Sequence, residues 1–322
     1  MARQIIEFEK NTVPVKMEVM QISNITRHWH DCLEVVWVID GELNVSESNI
    51  LFQLKTGDIY VVNYNETHKL FATNEAAFVA ILYIDQKYFK EDIPNLDVIS
   101  FSHYCFSHNF EVDESLVNIR KLLASLYKIL NGNFTSVKSQ AKIKALMHSL
   151  LLLLIDTFQY IYFKKTGKGY TEMLDKSVAL TKEQIDRIHR LTCFIYFNSA
   201  GKLTLDDLAK SENYSKFYVS HFLKKAYGLS YQETLTLARI SCSERLLLGT
   251  DKSLEEIAGE VGFSNRSHFS QQFKKWHGVT PALFRKENTP GSPGNTNIVF
   301  PLDDADIEHL LQESLRSCKS LP

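Results

Sequence analysis

The sequence predicts an α+β chain of two domains: an N-terminal β-barrel followed by a helical hairpin, and a C-terminal all-α domain of two similar helix pairs. Three observations carry this. Short segments rich in β-branched and aromatic residues crowd the first hundred positions. Helical periodicity takes over near residue 113, and the stretch from Leu203 to Phe284 repeats itself after about fifty residues.

With 322 residues and 44% hydrophobic content, the chain can bury a core in each domain. Its five cysteines (Cys32, Cys105, Cys193, Cys242, Cys318) form no C-x-x-C pair and no disulfide framework, as expected in a reducing cytoplasm. The opening MARQIIEFEK has no apolar signal core, and the greasiest run, Leu150–Ile155, is interrupted by Asp156, so neither export nor membrane spanning is expected. The net charge of −2 is unevenly spread. Residues 1–112 hold 8 Lys+Arg against 16 Asp+Glu (8 − 16 = −8), whereas 181–287 hold 16 against 12 (16 − 12 = +4). An acidic first domain joined to a mildly basic second one is the asymmetry expected where the second meets nucleic acid.

Residues 1–112 supply LEVVWVID, ELNVSES, ILFQL, DIYVVNY and AAFVAILYI, separated by turn signals such as Asp40-Gly41 and Thr56-Gly57-Asp58. This spacing suits a small barrel or jelly roll. Two pieces resemble the cupin motifs: His28-x-His30-x-x-x-Glu34 followed by Gly41, then Gly57-Asp58 and His68. Strand alternation puts His28 and His30 on one face, and Glu34 with His68 would complete an N,N,O,N set for a divalent transition metal. The resemblance implies either iron, manganese, nickel or zinc at that quartet, or histidines that line the barrel around an organic effector. No cofactor is expected on the second view, and the effector-binding residues are then His28, His30, Glu34, Trp37, Tyr60 and His68. Trp29, Trp37, Tyr60, Tyr64 and Phe71 offer aromatic surface for a sugar face or, alternatively, for the core.

Residues 113–165 turn helical, with SLVNIRKLLASLYKIL and KALMHSLLLLLIDTFQYIYF divided by NGNFTS. More apolar surface is present than one buried face needs, which fits either a homodimer interface or packing on the barrel. Residues 166–180 look like a linker, and Thr181–Phe197 like the first helix of the domain at 181–287.

Within that domain LTLDDLAKSENYSKFYVSHFLKKAYG and SLEEIAGEVGFSNRSHFSQQFKKWHG say nearly the same thing. Each is an amphipathic helix with an inward Ala, a short polar turn, and a second helix ending in a Lys pair and a Gly, which is helix-turn-helix grammar. The offset moves from 49 to 50 within the turn, so the second copy should carry one extra turn residue. Tyr231–Leu248 is long enough for one connecting helix. After the second copy, Thr280-Pro281 reads as an N-cap followed by Pro at the first helical position.

Ile257, Ala258, Gly262, Phe263, Ser264, Phe269, Phe273, Lys274, Lys275, Gly278, Thr280, Pro281 and Arg285 resemble the signature of the AraC family of bacterial transcription regulators. The resemblance implies a double-stranded DNA operator, a small-molecule effector of the sugar or oligosaccharide class, a homodimer and contact with RNA polymerase. It places base-facing positions at Phe217, Tyr218, Ser220 and His221 in the first copy and Arg266, Ser267, His268 and Gln271 in the second. Lys224, Lys225, Lys274 and Lys275 would contact phosphate or merely solvate their helix ends. No catalytic residue is expected; the rival classes are a metal-dependent cupin enzyme and a ligand-blind DNA-binding scaffold. Residues 288–322 read as a flexible tail, NTPGSPGNTN followed by a short acidic amphipathic helix.

Overall fold

The computed structural model describes residues 3–47, 50–93, 96, 101, 104–105, 114–158, 162–166, 169–173, 180–289 and 296–317. Its N-terminal part is a nearly closed antiparallel barrel. The strands are β1 (Val15–His28), β2 (Leu33–Asp40), β3 (Glu42–Glu47), β4 (Ile50–Lys55), β5 (Ile59–Val62), β6 (His68–Ala72), β7 (Ala77–Ile84) and β8 (Tyr104–Cys105), in the order β4-β3-β6-β1-β7-β2-β5-β8. The long β1 does double duty. It pairs with β7 over Val15–Ile22 and with β6 over Asn24–His28, and a register shift between Ile25 and His28 bends it from one neighbour to the other.

Alternation along the strands divides two cores. Val36, Val38, Leu43, Val45, Leu54, Tyr60, Val62, Leu70, Val79 and Ile81 fill the barrel interior. Leu33, Val35, Trp37, Ile39, Ile59, Val61, Ala80, Leu82 and Ile84 face outward, where they pack against α1 (Glu114–Leu130) and α2 (Val137–Phe158). These helices bury Leu116, Ile119, Leu123 and Leu126 and Ile143, Met147, Leu150 and Leu154 on the sheet, so packing on the barrel uses one full face of each. Leu152, 55% exposed, points the other way.

Helix α2 stops at Phe158, short of the expected 165. The chain then forms a hairpin, β9 (Tyr162–Thr166) with β10 (Gly169–Met173), inside the stretch that the sequence suggests is helix end and linker. Aromatic and Thr residues favour extended backbone, and the hairpin has a specific neighbour: the Phe163 N–H donates to the Tyr227 carbonyl at 3.0 Å. Residues 167–168 and 174–179 of the expected linker lie outside the described residues.

The second domain holds α3 (Lys182–Asn198), α4 (Leu205–Ser211), α5 (Lys216–Ala226), α6 (Tyr231–Gly249), α7 (Leu254–Glu260), α8 (Arg266–His277) and α9 (Pro281–Glu287). Caps explain where they start. Thr181, Thr204, Ser230 and Ser253 form reciprocal capping boxes with Gln184, Asp207, Glu233 and Glu256. Thr280 caps α9, with Pro281 at its start.

The tail corrects an expectation. Instead of trailing free, residues 296–317 return to the barrel: β11 (Ile298–Pro301) pairs with β1 at Met20–Asn24, and α10 (Asp304–Ser317) buries Ile307 and Leu311 in the outer core. Asn297 Oδ1 accepts from the Thr26 N–H and hydroxyl, both at 2.9 Å, and Asn131 Nδ2 donates to Asp304 Oδ1 at 2.9 Å. Its polar composition suggested a free end, but an amphipathic helix is stable wherever its apolar stripe finds a complementary face. Among the described residues no helix is long and apolar enough to cross a membrane.

Candidate functional site

Two sites can be built from the residues upward. The first lies at one end of the barrel. His28 ends β1 and is the cross-strand partner of His68 at the start of β6, His30 follows in the turn, and Glu34 on β2 is the cross-strand partner of Tyr83 on β7. All four expected ligands are brought together: His30 Nε2 is 2.6 Å and His68 Nε2 3.4 Å from Glu34 Oε2, and the His28 and His68 rings are 4.2 Å apart. His30, Glu34 and His68 are fully buried.

The hydrogen bonds define which nitrogens remain. Each histidine presents Nδ1 to a backbone carbonyl two residues away: His28 to Thr26 at 2.8 Å, His30 to Cys32 at 3.1 Å and His68 to Glu66 at 3.1 Å. A carbonyl only accepts, so Nδ1 carries the proton in His28 and His68 and leaves their Nε2 atoms for the centre, whereas His30 has an acceptor on each side, the Cys32 carbonyl and the Glu34 carboxylate. Burial and the neighbouring His68 push His28 down to about 3, which keeps it neutral. Burial alone would raise Glu34, but His68 and His30 outweigh it and hold the carboxyl well below the usual range. The centre therefore collects lone pairs and a negative charge. At 2.6 Å a proton lies between His30 Nε2 and Glu34 Oε2, the place that a metal ion would take.

Glu34 Oε1 and His68 Nε2 are buried without a hydrogen-bond partner; the 3.4 Å contact of His68 is an ion-pair distance lacking hydrogen-bond geometry. Such orphans cost about 1–3 kcal/mol each unless something binds them. The four ligand atoms lie within 4.8 Å of one another, close to the span that bonds of about 2.1 Å would bridge. The residues fit a divalent transition metal.

The aromatic expectations fare differently. Trp37, three positions from Glu34, faces the outer core with Leu33 and Val35, because an odd interval along a strand lands on the opposite face. It does not line the site. Tyr60 faces inward but packs on Phe52 with ring centroids 5.3 Å apart. Two neighbours escaped the sequence reading. Tyr83 meets His30 edge-on at 5.6 Å, and the Cys32 Sγ lies 3.3 Å from His30 Nδ1, its thiol pushed upward by burial and by Glu34. The β7 alternation that places Val79 and Ile81 inside would also have placed Tyr83 there.

The second site is the pair of helices α5 and α8. The two turns are Glu212–Ser215 and Val261–Asn265, so the extra residue is where the changing offset put it. Each turn has a left-handed residue at the same place, Asn213 (φ 57°) and Gly262 (φ 91°). A Cβ on Gly262 would come within 2.8 Å of the Ala200 carbonyl. Asn tolerates that conformation, and only Gly also tolerates the close backbone.

Phe217, Tyr218, His221, Arg266, Ser267, His268 and Gln271 are exposed at the beginnings of the two helices, and Ser220 is half-buried. Phe217, 83% exposed, is unusual for an aromatic without a partner surface. Tyr218 is partly committed elsewhere: its hydroxyl accepts from Arg187 Nη1 at 2.5 Å, and its ring stacks on Tyr214 at 4.5 Å. Lys216, passed over in the sequence reading, stands fifty residues before Arg266 at the equivalent position and pairs with Asp206 at 3.2 Å. Lys224, Lys225, Lys274 and Lys275 are all exposed, but Lys224 Nζ donates to the Gly228 carbonyl at 3.0 Å and lies 3.4 Å from Glu233. That lysine solvates its own helix end. Arg285 is structural, its guanidinium donating to the Leu247 and Lys252 carbonyls at 3.1 and 2.7 Å.

The family described as a helix-turn-helix domain matches residues 208–287, which include α5 through α9. The chain carries an AraC-type helix-turn-helix domain. A protein named as an HTH-type transcriptional regulator of Staphylococcus aureus is 21% identical over 299 residues, 93% of this chain but 37% of its own length. The Msm operon regulatory protein of Streptococcus mutans is 28% identical over 165 residues, 51% of this chain and 54% of its own. The chain thus spans little more than a third of the staphylococcal relatives. Among solved structures, ToxT from Vibrio cholerae is 14% identical, covering 84% of this chain and 97% of its own, with a TM-score of 0.45. The C-terminal domain of AraT from Geobacillus stearothermophilus is 33% identical over 32% of this chain and 86% of its own, with a TM-score of 0.31.

Proposed function

We propose that the chain is a sequence-specific DNA-binding transcription regulator whose barrel senses a small ligand. The observation that carries this reading is the doubled head: two helices in equivalent frames, each exposing its first two turns while its apolar side is buried. A single helix pair is common in helical proteins and says little. Two with matching turns, caps and exposed faces, separated by the 19-residue α6, suit successive major grooves.

The base-facing set remains Phe217, Tyr218, Ser220, His221, Arg266, Ser267, His268 and Gln271, with Lys225 and Lys274 favoured over Lys224 for phosphate and Lys275 kept as a candidate. In vitro selection of DNA by the full chain tests it. The expected product holds two unlike subsites about 10 base pairs apart, lost in Arg266→Ala/Gln271→Ala. Enrichment of no sequence would overturn the reading. A homodimer through the exposed side of α2 and contact with RNA polymerase belong to the same proposal.

For the ligand, the sugar or oligosaccharide class rests on the family resemblance, and the outward Trp37 removes one of its supports. A second reading is favoured by the three converging Nε2 atoms beside Glu34: the barrel holds a metal ion, which there would supply a fixed positive charge.

A further inference from the structure

Next to the quartet, the barrel end meets the helix-turn-helix domain through buried polar side chains that neither core explains. Glu244 of α6 is 2% exposed, and its carboxylate divides between two bodies. Oε2 accepts from the hydroxyl of Thr67 on the barrel, and Oε1 lies 2.8 Å from Nε2 of His277, the last residue of α8. Burial alone would raise this carboxyl, but His277, Thr67 and Arg27 hold it below the usual range. Arg27, 7% exposed, donates to Ser46 Oγ at 2.8 Å, and its guanidinium lies 5.5 Å from the ring of Phe284 in α9. Beside it, Arg245 of α6 covers Trp29 at 5.7 Å.

Thr67, which bonds Glu244, precedes His68, and Arg27, which donates to the Thr67 carbonyl at 3.5 Å, precedes His28, so both are chain neighbours of quartet members. His28 and His68 are themselves cross-strand partners. We propose that a divalent transition-metal ion seated on His28, His30, Glu34 and His68 tightens the barrel's hold on the helix-turn-helix domain, acting through Arg27 and Thr67 on Glu244. The proposal rests on the reading of the barrel end as the sensing site and names its ligand class and its route to the DNA-binding helices.

The sign follows from the geometry. The ends of β1 and β6 already meet at the site through the His28–His68 pairing and a 3.5 Å bond from Arg27 Nη1 to the Thr67 carbonyl, but the ladder between them is interrupted by the register shift between Ile25 and His28. An ion bonded to His28 and His68 ties the two segments to each other and thereby fixes Arg27 and Thr67 in the arrangement that receives Glu244. Preorganising one partner of a contact reduces what ordering costs when the contact forms. Because coupling between two sites is reciprocal, the grip on Glu244 must favour the ion to the same degree.

The test uses the full chain stripped with EDTA and titrated calorimetrically with Zn2+, Mn2+ and Ni2+. One ion per chain is expected, lost in His30→Ala. Thr67→Val and Glu244→Gln replace no ligand, yet each should weaken ion binding by about 5- to 150-fold, the usual range for coupled sites, and the double variant should be no worse than either single one. Thr67→Val changes only the barrel side, so it remains informative if Glu244→Gln impairs folding. In the wild type Zn2+ should slow amide exchange over residues 240–248, and in Thr67→Val it should not. Absence of ion binding would overturn the ligand class, while equal affinities in wild type and both variants, or faster exchange with Zn2+, would overturn the coupling. DNA selection with the metal-free chain is read separately, so failure of the regulator reading is distinguishable from either.

Discussion

The three histidines of the barrel end each lend Nδ1 to a carbonyl of their own segment, so the ring orientations are set before any ligand arrives. Trp37, by contrast, is a core residue. Trp37→Ala should cost about 3–5 kcal/mol of unfolding free energy in urea, while Zn2+ affinity of the folded variant stays at the wild-type value. A change in that affinity would put the indole back into the site. Glycines separate in the same way. Gly228 has φ 81° and faces the Phe163 carbonyl, which a Cβ would strike, whereas Gly259 in α7 has nothing within 4 Å. Gly228→Ala should lower the melting temperature and Gly259→Ala raise it, the latter by roughly 0.5–1 kcal/mol of helix propensity. The quartet was legible in the sequence because His28, His30 and Glu34 recur at short even intervals and, with His68, resemble the cupin motifs. Tyr83 was not, since its place beside Glu34 depends on which strand lies next to β2.

Capping boxes start both short helices of the tandem units, and their acids carry a pH dependence. Asp207 is drawn below the usual range by bonds from the Thr204 side chain and backbone, and Glu256 likewise by Ser253. A lowered folded-state value stabilises above the ordinary carboxylate value and fades as pH falls through the lowered one, so α4 and α7 should lose their cap contribution in acid. Thr204→Ala and Ser253→Ala should remove about 0.5–2 kcal/mol each at neutral pH, with the difference from wild type narrowing as the pH drops. Thermal melts against pH check this. At the helix ends, Lys274→Ala should flatten the salt dependence of DNA binding by about one ion, and Lys224→Ala should do so less, because its ammonium already serves Gly228 and Glu233. The duplicated helices were readable from the sequence since each copy is local: caps, turn and apolar stripe all fall within thirty residues. Strand β1 was missed because its partners change along its length and blur the alternation. The β9–β10 hairpin was missed because tertiary contact with Tyr227 outweighs a helical pattern.

For the whole molecule, the two bodies could be outlined from charge and periodicity, but their junction could not. Thr67 and Glu244 stand 177 residues apart, and nothing local marks either as a partner of the other. The returning tail is of the same kind. Removing residues 290–322 should destabilise the barrel while leaving α3–α9 folded, because Ile307 and Leu311 alone each withdraw about 1.5–3 kcal/mol of apolar side chain from water. Two-step urea unfolding, with only the first step shifted, is the expected result. A single unshifted transition would mean that the tail contributes nothing. The docking of β11 on β1 also changes how the helical domain is attached. Because the polypeptide leaves the barrel and its helices after Phe158 and rejoins the barrel at Thr296, the intervening domain is tied to the barrel by the chain at two places and not at one. One protease cut at either crossing should therefore leave the halves joined, and two cuts should be needed to set the domain loose.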